Sequence, residues 1–149
     1  MTTPTLSIAC DRDLLLTAIQ AADAVVPSTS TKPILTNLLL DATPNGIEVI
    51  ATDLQVGLRS VVRAAEVKTP GQAVVQARQI AAILKESGSP AVQIELMRQG
   101  ETGQVAVRLS DGDYQVPAVV GDTFPAVTAF PQDVPVVSVP GSRFAEMVR

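Results

Sequence analysis

Hydrophobic and polar positions alternate along Lys32–Val62, KPILTNLLLDATPNGIEVIATDLQVGLRSVV, and the rest of the chain is organised around this stretch. Leu38, Leu39 and Leu40 form an apolar run that stops at Asp41-Ala-Thr-Pro-Asn-Gly46. The Asn45-Gly46 pair predicts a type I′ hairpin turn, because both residues tolerate the positive φ that such a turn demands. The next strand points Ile47, Val49 and Ala51 one way and Glu48, Ile50 and Thr52 the other. After a turn at Thr52-Asp53, a third alternation sets Leu54, Val56, Leu58, Ser60 and Val62 against Gln55, Gly57, Arg59, Val61 and Arg63. Period-two patterning in consecutive segments predicts a meander with one face on a core.

The flanking segments read in the same way. Thr5–Cys10 is a short alternating strand, and Asp11 can cap a helix with Asp13 in its first turn. Leu14, Leu15, Ala18, Ile19, Ala22 and Val25 make one apolar stripe, which Pro27 ends. Ser28–Thr31 is a polar loop, and Pro33 fixes the entry to the meander. Lys68-Thr-Pro-Gly71 reads as a turn, Ala73–Gln76 as a strand, and 77–87 as a helix with Ile80, Ile83 and Leu84 inward. Three further strands follow, through Val92, Ile94 and Leu96, through Val105, Val107 and Leu109, and through Tyr114, Val116 and Ala118. Turns at Gln99–Gly103 and Asp111-Gly112 separate them.

The order strand, helix, strand, strand, strand thus occurs twice, over residues 5–64 and 73–119. A repeat of this kind predicts an α+β domain of two pseudo-symmetric β-α-β-β-β halves sharing one core. Both helices then lie side by side on one face of an antiparallel sheet. A third start is visible in Val134–Val139, a predicted strand, and Gly141–Arg149, a helix opening with Ser142 as its cap. Phe124–Asp133 reads as a connector. The expected organisation is one domain over 1–130 and the truncated start of a second over 131–149, so the chain reads as a fragment.

Composition narrows the chemistry. The core must be aliphatic, since aromatics are 3% of residues and there is no Trp. The 149 residues contain no histidine, which removes the usual general base and the commonest metal ligand. The single cysteine, Cys10, excludes internal disulfides, and nothing could activate it as a nucleophile. Asp53 reads as a turn aspartate rather than an acid or base. No phosphate loop, metal spacing or catalytic triad occurs, so neither an enzyme nor a cofactor is expected. No apolar run approaches the ~18 residues of a membrane span, and the first residues lack a signal-peptide pattern; a soluble cytoplasmic protein is expected. The net charge of −4 argues against DNA binding by bulk electrostatic attraction.

In sequence the chain resembles the bacterial replicative DNA polymerase beta sliding clamp. The resemblance rests on Lys32-Pro-Ile-Leu-Thr-Asn-Leu-Leu-Leu, Ala51-Thr-Asp-Leu-Gln-Val-Gly-Leu58, Gln76-Ala-Arg78 and Asp122-Thr-Phe-Pro125, in that order and spacing. It covers almost the whole chain. It implies a non-enzymatic processivity factor: two protomers of three similar domains closing a ring, with helices lining a hole around duplex DNA. Its implied partners are duplex DNA, the replicative DNA polymerase and the clamp loader, with a homodimeric ring in the full-length protein.

The resemblance also implies site residues. Arg78 matches an arginine used on DNA phosphates, and Lys85 shares its helix face, seven residues on. From the pattern alone, both are an ordinary solvated face. Where the family commonly carries a loop arginine this chain has Thr29, and Lys32 stands in for the missing charge. Tyr114 and Val116, on the last strand, match positions where the family pairs an edge strand with the neighbouring protomer. The competing expectation is a protein-interaction domain that keeps the clamp fold without encircling DNA.

Overall fold

The computed structural model describes residues 3–63, 65–100, 102–120, 124–129 and 131–149. Strand β1 (Leu6–Asp11) leads directly into α1 (Arg12–Asp23). The Asp11 carboxylate caps that helix, accepting from the Leu14 N–H at 3.0 Å. A 3₁₀ turn, Pro33–Thr36, delivers the chain to β2 (Asn37–Thr43), followed by β3 (Gly46–Thr52), β4 (Gly57–Val62) and β5 (Ala65–Thr69). The second half runs β6 (Gly71–Gln76), α2 (Ala77–Glu86), β7 (Ala91–Gln99), β8 (Thr102–Leu109) and β9 (Gly112–Val120). Helix α3 (Gly141–Met147) ends the chain.

The nine strands form one antiparallel sheet in the order β4-β3-β2-β6-β9-β8-β7-β1-β5. The first strand of each half sits between strands of both halves: β1 between β7 and β5, β6 between β2 and β9. Neither half can detach without tearing the sheet, so the repeat yields one shared core. Both helices bury their stripes on the same sheet face. Leu15, Ala18, Ile19 and Ala22 come from α1, and Ala77, Ile80 and Leu84 from α2. They meet Leu6, Ile8, Leu38, Leu40, Ile47, Val49, Ile94, Val105 and Val107 from the strands.

Several elements differ from the sequence expectation, each for a local reason. The tip of the first hairpin is Pro44-Asn45 rather than Asn45-Gly46, with Thr43 paired to Gly46. Proline fixes φ near about −65°, which a type I′ turn forbids. Gly46 alone takes φ 136°, where an added Cβ would lie 2.7 Å from the Val62 carbonyl oxygen. Lys68–Gly71 is not a turn; β5 and β6 run up to either side of Pro70. The additional strand β5 restores the symmetry of pairing. The long β9 pairs with both β8 and β6, while its counterpart is broken in two: β4 serves β3, and β5 serves β1. Leu14 is exposed, and Ile83 and Leu58 are only half-buried.

Strand β4 starts at Gly57, later than the alternation predicts, because Leu54 sits at φ 75° in a tight loop. The Thr52 hydroxyl accepts from the Leu54 N–H and donates to the Val56 carbonyl, while the Asp53 carboxylate accepts from the Gln55 and Val56 N–H groups. Those two backbone donors hold Asp53 below the usual carboxylate range. Its role is that of a turn residue.

The expected connector is partly a strap. Phe124 is buried on the outer face of the sheet with Leu39, Ile50 and Val74, and Val127 packs beside them. The Arg59 guanidinium donates to the Val127 carbonyl at 2.7 Å and pairs with Glu48. The strap explains why the β2 leucines are apolar on both faces. Gly121, Asp122 and Thr123 of the expected closing motif, Glu101 of the turn before β8, and Phe130 of the connector lie outside the described residues. Val134–Val139 forms no strand and is exposed, and α3 buries no residue. Pro140 rather than Ser142 occupies the position before α3, and it makes no side-chain cap.

Cys10 is buried in β1, and burial, with the Asp11 charge second, pushes its thiol up to about 11. At pH 8 the thiolate population is therefore small even when the site opens only partially. Labelling with a thiol reagent is expected to be very slow in the folded chain and to reach the rate of a free cysteine only in denaturant. Prompt labelling in buffer would contradict the burial of β1.

Arg12 ties the two helices together. Its guanidinium donates to the Leu84 carbonyl (2.8 Å) in the last turn of α2 and to the Ser89 carbonyl (2.6 Å), satisfying acceptors that a helix end leaves open. Asp111, at the tip of the β8–β9 hairpin, accepts from Ser87 Oγ (2.7 Å) and the Gly88 N–H (3.0 Å). The Ser87 bond first, then the Gly88 bond, holds its carboxyl below the ordinary range. A depressed folded value contributes stability that is present above the unfolded value of about 3.9 and fades as pH falls through the folded one. Asp111→Asn is thus expected to lower resistance to urea at pH 7, with the loss shrinking as pH falls below the unfolded value and through the folded one. A loss that does not diminish as the solution is acidified to the point where Asp111 is protonated in both states would contradict the assignment.

Candidate nucleic-acid interface

The outward stripe of α2 is Arg78, Gln79, Ala82, Lys85 and Glu86, opposite the buried Ala77, Ile80 and Leu84. Helical periodicity makes this division, and Arg78 and Lys85 stand about 10 Å apart along the axis. The outward stripe of α1 is Asp13, Leu14, Thr17, Gln20 and Ala21. It carries no cation, since Arg12 is held against the end of α2 and paired with Asp13 at 2.7 Å. The helix face exposes two cations and two carboxylates, so its only capacity for phosphate contact is at Arg78 and Lys85.

The loop after α1 reaches the Arg78 end. Arg12 places the start of α1 at the end of α2, so α1 finishes beside the start of α2. Strand β2 then opens at Asn37, paired with Gln76, the residue that precedes α2. Thr29 and Lys32 are both exposed in that loop, and the Lys32 N–H is bonded to Ser30 Oγ at 3.1 Å. Both ends of the segment that carries Thr29 and Lys32 thus lie at the Arg78 end of the helix pair, and Lys85 lies at the other.

Tyr114 and Val116 lie across β8 from Val107 and Val105, so both side chains point to the helix side of the sheet. Val116 is 2% exposed and belongs to the main core, whereas Tyr114 is 40% exposed. Strand β9 is paired with β8 along its length, and with β6 only through Ala118–Val120. The Arg12 and Asp111 ties escape sequence reasoning, because their partners lie up to 77 residues away. Among the described residues no group of acidic or cysteine side chains could hold a metal ion, and no helix is long and apolar enough to cross a membrane.

The pair of helices on one face of a nine-stranded antiparallel sheet is the fold of a sliding-clamp domain. The chain is similar to the DNA polymerase III beta subunit of Thermotoga maritima (TM-score 0.80, 24% identity, 96% of this chain and 38% of that one). It is similar also to the DNA polymerase sliding clamp of Bacillus subtilis (0.78, 22%, 84% and 34%). A third similar structure is the DNA polymerase III beta subunit of Pseudomonas aeruginosa (0.70, 26%, 84% and 33%). The chain spans about a third of the length of these proteins. The family model for the N-terminal domain of the DNA polymerase III beta subunit matches residues 6–128, and the chain belongs to that family.

Proposed function

We propose that the chain is the first domain, residues 1–130, of a DNA-encircling processivity clamp, with residues 131–149 opening a second domain. The observation that carries this reading is the helix face, which no element of the described residues covers and which bears Arg78 at its exposed N-terminal turn. In the ring that face lines the hole, and Arg78, with Lys32 and Lys85, touches phosphates without reading sequence. The clamp is not an enzyme. It holds the replicative polymerase on duplex DNA in the cytoplasm, is placed there by a clamp loader, and closes as a homodimer through β9, with Tyr114 at the seam and Val116 supporting it from the core. Binding by topology removes the conflict with the charge of −4, because tight phosphate contact would impede sliding.

Arg78→Glu in the ring is expected to weaken retention on DNA and to reduce the salt slope by about one for each phosphate left without its cation. Its melting temperature should stay within about 2 °C of the parent, as an exposed substitution shifts stability by only about 0.5 kcal/mol. Lys32→Glu should act in the same direction and Lys85→Glu more weakly. Retention unchanged by Arg78→Glu would remove that residue from the DNA face.

A further inference from the structure

The pairing of β6 with β9 stops at Val75 and Ala118. The residue before Ala118 is Pro117, which has no N–H to carry the ladder on to Gln76, and the two strands part there. A cavity of about 530 Å³ opens at this fork, a size ordinary for small-ligand sites. Its floor is apolar: Val74 and Ala118 are buried, and Pro117 and Val119 are exposed beside them. Its walls carry the carboxamides of Asn37, Gln76, Gln79, Gln99 and Gln104. Gln104 alternates with the core residue Val105, and Val74 packs with the strap, so the cavity lies on the outer face of the sheet. Gln79 carries it round to the first turn of α2. Among the described residues no ionisable side chain lines it.

This lining selects the ligand. An anion finds no cation inside the cavity, and a metal ion finds no carboxylate. Carboxamides around an apolar floor match a flat neutral ring that carries donors and acceptors on its rim. A carboxamide sets an N–H beside a C=O, the pattern that pairs with the N6/N7 edge of adenine. Charge is available next to the walls. Arg78 precedes Gln79 and Arg98 precedes Gln99; both arginines are exposed, and neither is in an ion pair among the described residues. We infer that the fork between β6 and β9 binds an unpaired adenine base with its phosphate, the ring on the Val74–Pro117 floor and its edge on the carboxamides. A paired base cannot enter, since its faces are stacked within the duplex. The source is either a free adenine nucleotide or a single strand of DNA. The inference goes beyond the clamp reading and needs only the fold described above.

The test titrates the isotope-labelled chain with adenosine monophosphate and with three single-stranded tetranucleotides, of adenine, of thymine and without bases. The adenine strand is expected to shift the side-chain amide resonances of Gln76, Gln79 and Gln104, and to bind about five- to tenfold more tightly than the other two strands. Tighter binding of that strand than of the mononucleotide makes single-stranded DNA the source; equal binding makes it the free nucleotide. Gln104→Leu, and separately Gln79→Leu, should remove the preference for adenine while leaving the baseless strand's binding unchanged and the melting temperature within about 2 °C, as both positions are exposed. Equal binding of all three strands, shifts located elsewhere, or no shift at millimolar ligand would overturn the inference. The assay contains neither duplex nor ring, so the clamp reading fails separately, through loss of DNA retention.

Discussion

Ile80→Ala is expected to destabilise the domain by about 2–5 kcal/mol, the range for truncating a fully buried aliphatic side chain. Ile80 has no exposed surface, stands in the middle of the α2 stripe, and reaches the core shared by both halves. The surrounding shell cannot close over the gap, because helix and sheet positions are fixed by the exchange of β1 and β6 between the halves. For a chain of this size the melting temperature should fall by about 5–20 °C, with the urea m-value unchanged. Ile83→Ala and Leu58→Ala, at half-buried positions, should each cost only about 1 kcal/mol. A cost below about 1 kcal/mol at Ile80, or equal costs at Ile80 and Ile83, would show that α2 lies on the sheet in a different rotation.

Periodicity makes the central elements legible. The inward residues of β3, β7 and β8 and the buried stripes of both helices follow from alternation and from three- and four-residue spacing, which depend on local chain geometry alone. The pattern puts Leu14 and Ile83 inward because hydropathy cannot tell a stripe's centre from its margin. The strap eludes the sequence for another reason. Its partners Leu39, Ile50 and Val74 are consecutive in space but lie on three strands, and a buried outer face looks, in sequence, like an unusually apolar strand. Pro44 decides the hairpin against the stronger-looking Asn-Gly signal. The break between β4 and β5 has no counterpart in hydropathy, since both pieces alternate, and it emerges only when β1 must find a partner. The predicted strand at Val134–Val139 has the right pattern but no partner among the described residues, and an unpaired strand gains nothing over a solvated chain.

The candidate site is legible to a different degree. Exposure of Arg78 and Lys85 follows from the helix period, while the role on DNA proposed for them rests on the resemblance to the family. That the segment carrying Thr29 and Lys32 begins and ends at the Arg78 end emerges only with the β2–β6 register. On the proposed clamp reading, the two exposed cations of this helix face would give weak, salt-sensitive contacts that could not hold DNA by themselves, so retention would come from closure of the ring and sliding would stay unimpeded.

That dependence on closure has the second large expected effect, and it is the most direct test. The polypeptide carrying this domain with two more is loaded on a nicked circular plasmid, passed through a sizing column at moderate salt, and followed as the DNA is cut once. Protein is expected to stay with the circle and to leave almost completely after linearisation, unless both ends are blocked by bound protein. Arg78→Glu should reduce the amount loaded but leave release by cutting intact, since an end lets any ring slide off. Equal retention on circular and linear DNA would contradict the account and make the protein an ordinary affinity binder. Failure of the closed dimer to stay on either form would contradict it in the other direction and leave an interaction domain that does not encircle DNA.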